Sequence, residues 1–221
     1  MSPKSPKGDR KAKEEQLAEV TAAILYEKCK RDPLFWLQYY VYTVKEHRAA
    51  GEPALQLFPV RQYVKPIVEK WLDNKILHIV KSRQMGLSWL ALAMLLWECQ
   101  FYDYGLCVVI NMALVDSING LDRIKTMYAH QPSWLKNLCP LDRKLKDMPK
   151  ECLTFENRSK IQALPQGADK VRGLVPVTAL IDEASYLDEL EATYGACVPC
   201  CKRIVVVSSA GPGFFERLCT T

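Results

Sequence analysis

The chain has 221 residues, of which 49% are hydrophobic and 25% charged, with a formal net charge of +5. That length and apolar content can close a full hydrophobic core, in one large domain or two small ones. No apolar run approaches the roughly 20 residues needed to cross a bilayer, and residues 1–10 lack the apolar stretch of an export signal. A cytosolic location is the default expectation. Nine cysteines, an odd number scattered from Cys29 to Cys219, fit reduced thiols rather than a disulfide framework. The mild positive charge is compatible with a nucleic-acid partner without requiring one.

Residues 1–10 are rich in Pro, Ser, Gly and Lys and read as a disordered tail. From Lys11 the pattern is helical, with Leu17, Val20 and Ile24 on one face and Glu14, Glu15 and Glu19 opposite or flanking. Pro33 ends that helix. A second helix carries Phe35, Trp36, Tyr39 and Tyr40, whose spacing suits packing against the first better than base stacking. Residues 51–59 read as a loop, and a helix follows over roughly Tyr63 to Leu72. The expected division is a tail at 1–10, a helical segment at 11–54 and an α/β core at 55–221.

The core alternates strands that are apolar along their whole length with helices. Strands are expected at Ile76–Val80, Leu106–Ile110, Val177–Ile181 and Arg203–Val207. Helices are expected at Trp89–Cys99, Ala113–Tyr128 and Leu187–Ala196. Such alternation indicates a mostly parallel sheet covered on both faces. Cys152–Phe155 and Lys160–Leu164 suggest an inserted hairpin, preceded by a basic stretch with Lys136, Arg143, Lys144 and Lys146.

Two places carry chemistry. The first strand runs at once into Lys81-Ser82-Arg83-Gln84-Met85-Gly86-Leu87-Ser88 and then into a helix. A strand, a short loop and a helix N-terminus form a cradle for phosphate, because backbone N–H groups and the helix dipole converge on the anion. The usual pattern is Gly-x-x-x-x-Gly-Lys-[Ser/Thr]. Here only the second glycine is present, as Gly86; the lysine position holds Leu87 and the hydroxyl position Ser88. The missing cation can come from Lys81 or from Arg83. The second place is the strand ending in Asp182-Glu183. An apolar strand ends in two carboxylates where its tip meets a polar site, and the C-terminal edge of an open α/β sheet is where ligands bind. Asp182, with Ser88, would hold Mg²⁺, and Glu183 would activate the attacking water of a phosphoryl transfer from ATP. Either carboxylate could instead cap the helix that follows.

Those motifs resemble the ATPase domain of the large terminase subunit of tailed bacteriophages, the motor that packages DNA. Ser82–Ser88 is similar to its phosphate loop, some members of which take their lysine from the start of the loop, here Lys81. Leu180-Ile181-Asp182-Glu183-Ala184 resembles its acidic strand, and Ser208-Ser209-Ala210 its coupling motif. Leu57–Tyr63 sits where the family recognises adenine, implying Arg61 or Gln62 as the contact, and Arg172 in Lys170-Val171-Arg172-Gly173 resembles an arginine finger, in cis or toward a neighbour in a ring.

The resemblance implies a P-loop NTPase of the RecA-like (ASCE) class, a three-layer sandwich with an N-terminal helical extension. It implies ATP and Mg²⁺ as ligands, and double-stranded DNA, portal protein, small terminase subunit and a homo-oligomeric ring as partners. It implies the host cytoplasm, transiently at the procapsid, as the location. The family's lid and nuclease domains are expected to be absent from this length of chain, and hydrolysis by it to be weak. Two other readings remain open from the residues: a helicase-like ATPase acting on nucleic acid, and a non-hydrolysing nucleotide-binding assembly domain.

Overall fold

The structure is a computed structural model that describes residues 6–45, 49–83, 85–142 and 149–220. It opens on a 26-residue helix, α1 (Pro6–Arg31), so residues 6–10 belong to a helix and not to a tail. Proline is tolerated in the first helical turn, where its missing N–H has no intrahelical partner to lose. From Lys13 to Thr21 the helix stands exposed; further on it packs through Ala22, Leu25, Tyr26 and Cys29. The stripe of Leu17, Val20 and Ile24 lies on the opposite face and is exposed. Amphipathic periodicity finds a helix but not which of its faces the body covers.

α2 (Pro33–Tyr40) is capped by the Asp32 carboxylate, which accepts from Phe35 N at 3.0 Å. Next come β1 (Tyr42–Val44) and β2 (Leu55–Leu57), a small antiparallel pair where a loop was expected. α3 (Val64–Asp73) leads into the main sheet, built from β3 (Ile76–Lys81), β4 (Leu106–Asn111), β5 (Cys152–Thr154), β6 (Lys160–Pro165), β7 (Thr178–Asp182) and β8 (Arg203–Ser209). The spatial order is β3-β8-β7-β4-β6-β5, parallel throughout except for the β5–β6 pair.

Helices α4 (Leu87–Phe101), α5 (Leu114–Ala129) and the short α6 (Ser133–Leu138) lie with α1–α3 on one face; α7 (Ala168–Val171), α8 (Leu190–Cys200) and α9 (Phe214–Thr220) lie on the other. Strand residues alternate between the two cores: Val205 and Val207 face α4, while Ile204 and Val206 face α8. Arg143, Lys144 and Lys146 of the basic stretch lie outside the described residues.

All 15 residues of α4 are buried. A helix that is apolar all round must be covered all round. The sheet and α5 cover one side; α1 and α2 close the other, where Trp36 packs edge-on against Phe101 and Trp97 Nε1 donates to Cys29 O at 2.9 Å. The one carboxylate in α4, Glu98, accepts from Trp71 and Thr178 and pairs with Arg203. This cluster joins α3, α4, β7 and β8 at the edge of the sheet remote from the phosphate loop.

Glu98 and Arg203 keep only 7% and 13% of their side-chain surfaces exposed. Glu98→Ala, which strands a buried guanidinium, is expected to destabilise the fold by about 3–5 kcal/mol in urea denaturation. The double replacement Glu98→Leu with Arg203→Met is expected to recover most of that loss.

Candidate nucleotide site

β8 lies between β3 and β7, so the strand that ends at Lys81 and the strand that ends at Asp182 are next-nearest neighbours. All three run parallel, which brings Lys81, Ser209 and Asp182 to one edge of the sheet. This inserted strand fits the architecture that the resemblance implied.

The phosphate loop takes its shape from two facts. Gly86 has φ +73°, the left-handed region, and opens directly into α4. The Tyr63 hydroxyl donates to Met85 O at 2.5 Å, pinning the loop to the segment before α3. Ser88 then stands in the first turn of α4. Its hydroxyl donates to Asp182 Oδ1 at 3.1 Å and accepts from Lys81 Nζ at 3.2 Å. The same ammonium reaches Glu183 Oε1 at 2.9 Å.

Glu183 is held at φ +53°, ψ +37°, left-handed for a residue with a Cβ, at a cost of about 1–3 kcal/mol. The kink has a use. Successive side chains of an extended strand point to opposite faces, but a left-handed turn at Glu183 lets both carboxylates line one cleft. The turn after them is fixed to β8: Ser185 N donates to Ser208 Oγ at 3.0 Å, and Ser185 Oγ to Ser209 O at 2.7 Å.

The cleft over this edge has a volume of about 560 Å³. Lys81, Arg83, Gly86, Ser88, Asp182 and Glu183 line it from the sheet side. Asn111 at the end of β4 and Ser209 at the end of β8 line it from the same edge, with Asp116, Asn119 and Arg123 from α5 and Tyr186 from the turn after Glu183. A second cleft, of about 540 Å³, shares Met85, Gly86, Leu87 and Trp89 with the first and runs to Arg61, Gln56 and the β1–β2 pair. Together they make one trough passing either side of the phosphate loop.

Of the residues singled out from sequence, Lys81, Gly86, Ser88, Asp182 and Glu183 come together, and Arg83, Met85, Leu87 and Ser209 border the same cleft. Arg61 lines the second cleft, whereas Gln62 is exposed and does not. Ser82, Arg172 and Ala210 are exposed and line neither; Ser208 is buried beneath Ser185. Gln84 lies outside the described residues. Tyr186 and the wall from Asn111 to Arg123 carry no local pattern and reach the cleft only through the topology. Arg83 hydrogen-bonds the Tyr186 hydroxyl and, with help from Ser209, pulls that phenol below its ordinary value.

The donor set suits a hard cation. Ser88 and Asp182 supply two oxygen ligands already in contact, too few for an all-protein cage and right for Mg²⁺, which keeps several waters and takes phosphate oxygens. Burial pushes the Asp182 carboxyl above its usual value, against the pull of Lys81 and the Ser88 hydroxyl.

Among solved structures, the chain is similar to the large terminase of bacteriophage HK97, with a TM-score of 0.62 and 14% identity over 81% of this chain and 37% of that one. It is also similar to the large terminase of a thermophilic bacteriophage in complex with ADP, with a TM-score of 0.50 and 11% identity over 68% of this chain and 39% of that one. The chain thus spans little more than a third of the length of these terminases. No family model matches it, and no curated protein sequence does. At these identities the shared property is the fold, and it is the fold of the family whose motifs the sequence resembles.

Two outcomes test the site as built. An added Cβ at Gly86 meets no atom within 4 Å, so Gly86→Ala is expected to cost about 1–2 kcal/mol in chemical denaturation through backbone strain alone. A carboxyl whose folded value lies above its unfolded one adds stability below the unfolded value and loses it as pH rises through the folded one. Asp182→Asn is therefore expected to melt above the parent at pH 7. The gain should shrink as pH falls below the ordinary carboxylate range.

Proposed function

We propose that the chain hydrolyses ATP to ADP and phosphate, and that this drives translocation of double-stranded DNA into a viral procapsid. The observation that carries the reading is the contact chain Glu183–Lys81–Ser88–Asp182 at one sheet edge, with Gly86 turned beside it. A structural set of ion pairs has no need of a strained glutamate, a left-handed glycine and a buried aspartate around an open trough.

In this reading the triphosphate lies over the N-terminus of α4, held by backbone N–H groups from Met85 onward. The base extends along the second cleft toward Arg61. Lys81 is the cation that replaces the lysine missing at Leu87, since it already lies on Ser88; Arg83 is engaged by Tyr186. Ser88 and Asp182 would hold magnesium, which would neutralise phosphate charge. Arrival of the phosphates draws Lys81 from Glu183 and leaves the carboxylate able to accept a proton. Water oxygen bonds to the γ-phosphorus, its proton passes to Glu183, and the β–γ bridging bond breaks with its electron pair leaving on ADP. The two serines of β8 sit between the strands that carry these groups and transmit the change to the turn at Ser185.

Arg172 is exposed and away from its own cleft, which suits a finger that acts on the neighbouring copy in a ring. Portal protein and small terminase subunit are the further partners of the assembled motor, working in the host cytoplasm. Among the described residues no helix is long and apolar enough to cross a membrane.

Lys81→Ala is expected to weaken ATP binding by roughly 10- to 100-fold in calorimetry, the range of a hydrogen bond to a charged group. Glu183→Gln is expected to keep that affinity and lower turnover by about 10²–10⁴-fold. Unchanged affinity in the first variant would remove Lys81 from the phosphates, and unchanged turnover in the second would remove the general base. DNA-stimulated turnover together with portal binding by the full-length protein separates a packaging motor from a helicase.

A further inference from the structure

Asn111 ends β4, the strand next to β7, where the pairing of Ile110 with Ile181 brings Asn111 level with Asp182. Its backbone is fixed by Gln166 N, which donates to Asn111 O at 2.8 Å. Its side chain lines the phosphate cleft, is only 8% exposed, and has no hydrogen-bond partner among the described residues. The other polar groups on that wall differ in one respect. Asp116 and Asn119 are exposed and satisfied by solvent. Most of the residue is covered, and its amide is not sealed off from solvent, so the cleft it lines is where that amide can meet a partner.

We infer that Asn111 positions the attacking water, with its amide oxygen accepting the water proton that Glu183 does not take. This rests on the reading of the cleft as the site of ATP hydrolysis. A water about to attack phosphorus has two O–H bonds and must turn a lone pair toward the phosphate. One acceptor leaves it free to rotate about a single hydrogen bond. Two acceptors at the ends of the neighbouring strands β7 and β4 fix both protons and aim the lone pair. Glu183 supplies the acceptor that takes a proton in the reaction; Asn111 supplies one that does not.

The test compares the purified chain with its Asn111→Ala and Asn111→Asp variants. It measures binding of a non-hydrolysable ATP analogue and single-turnover hydrolysis of ATP. N111A is expected to keep analogue affinity within about twofold and to lose about 10²-fold in rate, the scale of one lost preorganised contact in a transition state. N111D keeps an acceptor oxygen in the same place and is expected to regain at least about tenfold over N111A. A merely structural role would move affinity, folding and rate together and would show no recovery by aspartate.

Parent-like turnover by N111A overturns the inference and leaves the ATPase reading intact, as does a loss of affinity that matches its loss of rate. If N111A fails to fold, N111D decides: turnover within about tenfold of the parent supports the assignment, and loss of turnover at intact affinity overturns it. A parent chain that neither binds the analogue nor hydrolyses ATP removes both readings together.

Discussion

The helix that presents Ser88 is the most deeply enclosed element of the molecule, and that constraint organises the rest. With Leu, Ala, Met and Trp on every side, α4 has no face to offer water. The sheet cannot cover it alone. The N-terminal helices are therefore not an appendage to the α/β core: Trp36, Cys29 and Tyr26 complete a surface without which Trp97 and Phe101 would be wet. Glu98, at the remote end of the same helix, is tolerated because Trp71, Cys107, Thr178 and Arg203, each from a different element, satisfy it. A helix clamped on all sides gives its first turn a fixed position, and a phosphate cradle depends on that.

At the opposite end of α4 the priorities reverse. Glu183 is strained, Asp182 is a carboxyl buried against its preference for water, and Gly86 gives up conformational freedom. Each works against stability, and all three border one cleft. Their concentration beside Lys81 is the physical ground for reading that edge as a place where chemistry happens. Tyr104 and Arg158 are left-handed elsewhere, so backbone strain alone marks no site; here it coincides with a buried carboxyl and a bridging lysine, the kind of local conflict a functional site shows.

Much of this was legible in the residues. Strands buried on both faces announce themselves as apolar runs, so β3, β4, β7 and β8 fall where periodicity puts them, and the loop into α4 and the Asp182-Glu183 ending stand out against that background. The inserted hairpin of β5 and β6 was equally plain. What stayed hidden did so for identifiable reasons. Three-residue strands such as β1 and β2 carry too little pattern, and Gly51, Pro53 and Pro59 around them read as loop. α1 half-buries Ala22, Leu25 and Tyr26, a face whose apolar pattern stands out no more than the Leu17, Val20 and Ile24 it exposes. Asn111, Arg123 and Tyr186 are unremarkable in their own neighbourhoods, because only the crossing of α5 over the sheet and the kink at Glu183 bring them to the phosphate loop.

The strand inserted between β3 and β7 also sets a length scale. Adjacent strands lie about 4.8 Å apart, so a group rooted on β3 must bridge roughly 10 Å to touch one rooted on β7. Among the natural cations, only the outstretched stems of lysine and arginine cover such a gap. Lys81 does so, grazing Ser88 on the way to Glu183. A histidine at that position would carry charge at mildly acidic pH yet fall short of the far bank. The architecture thereby selects for reach as well as for charge, and reach is what the proposed replacement of the customary lysine by Lys81 requires.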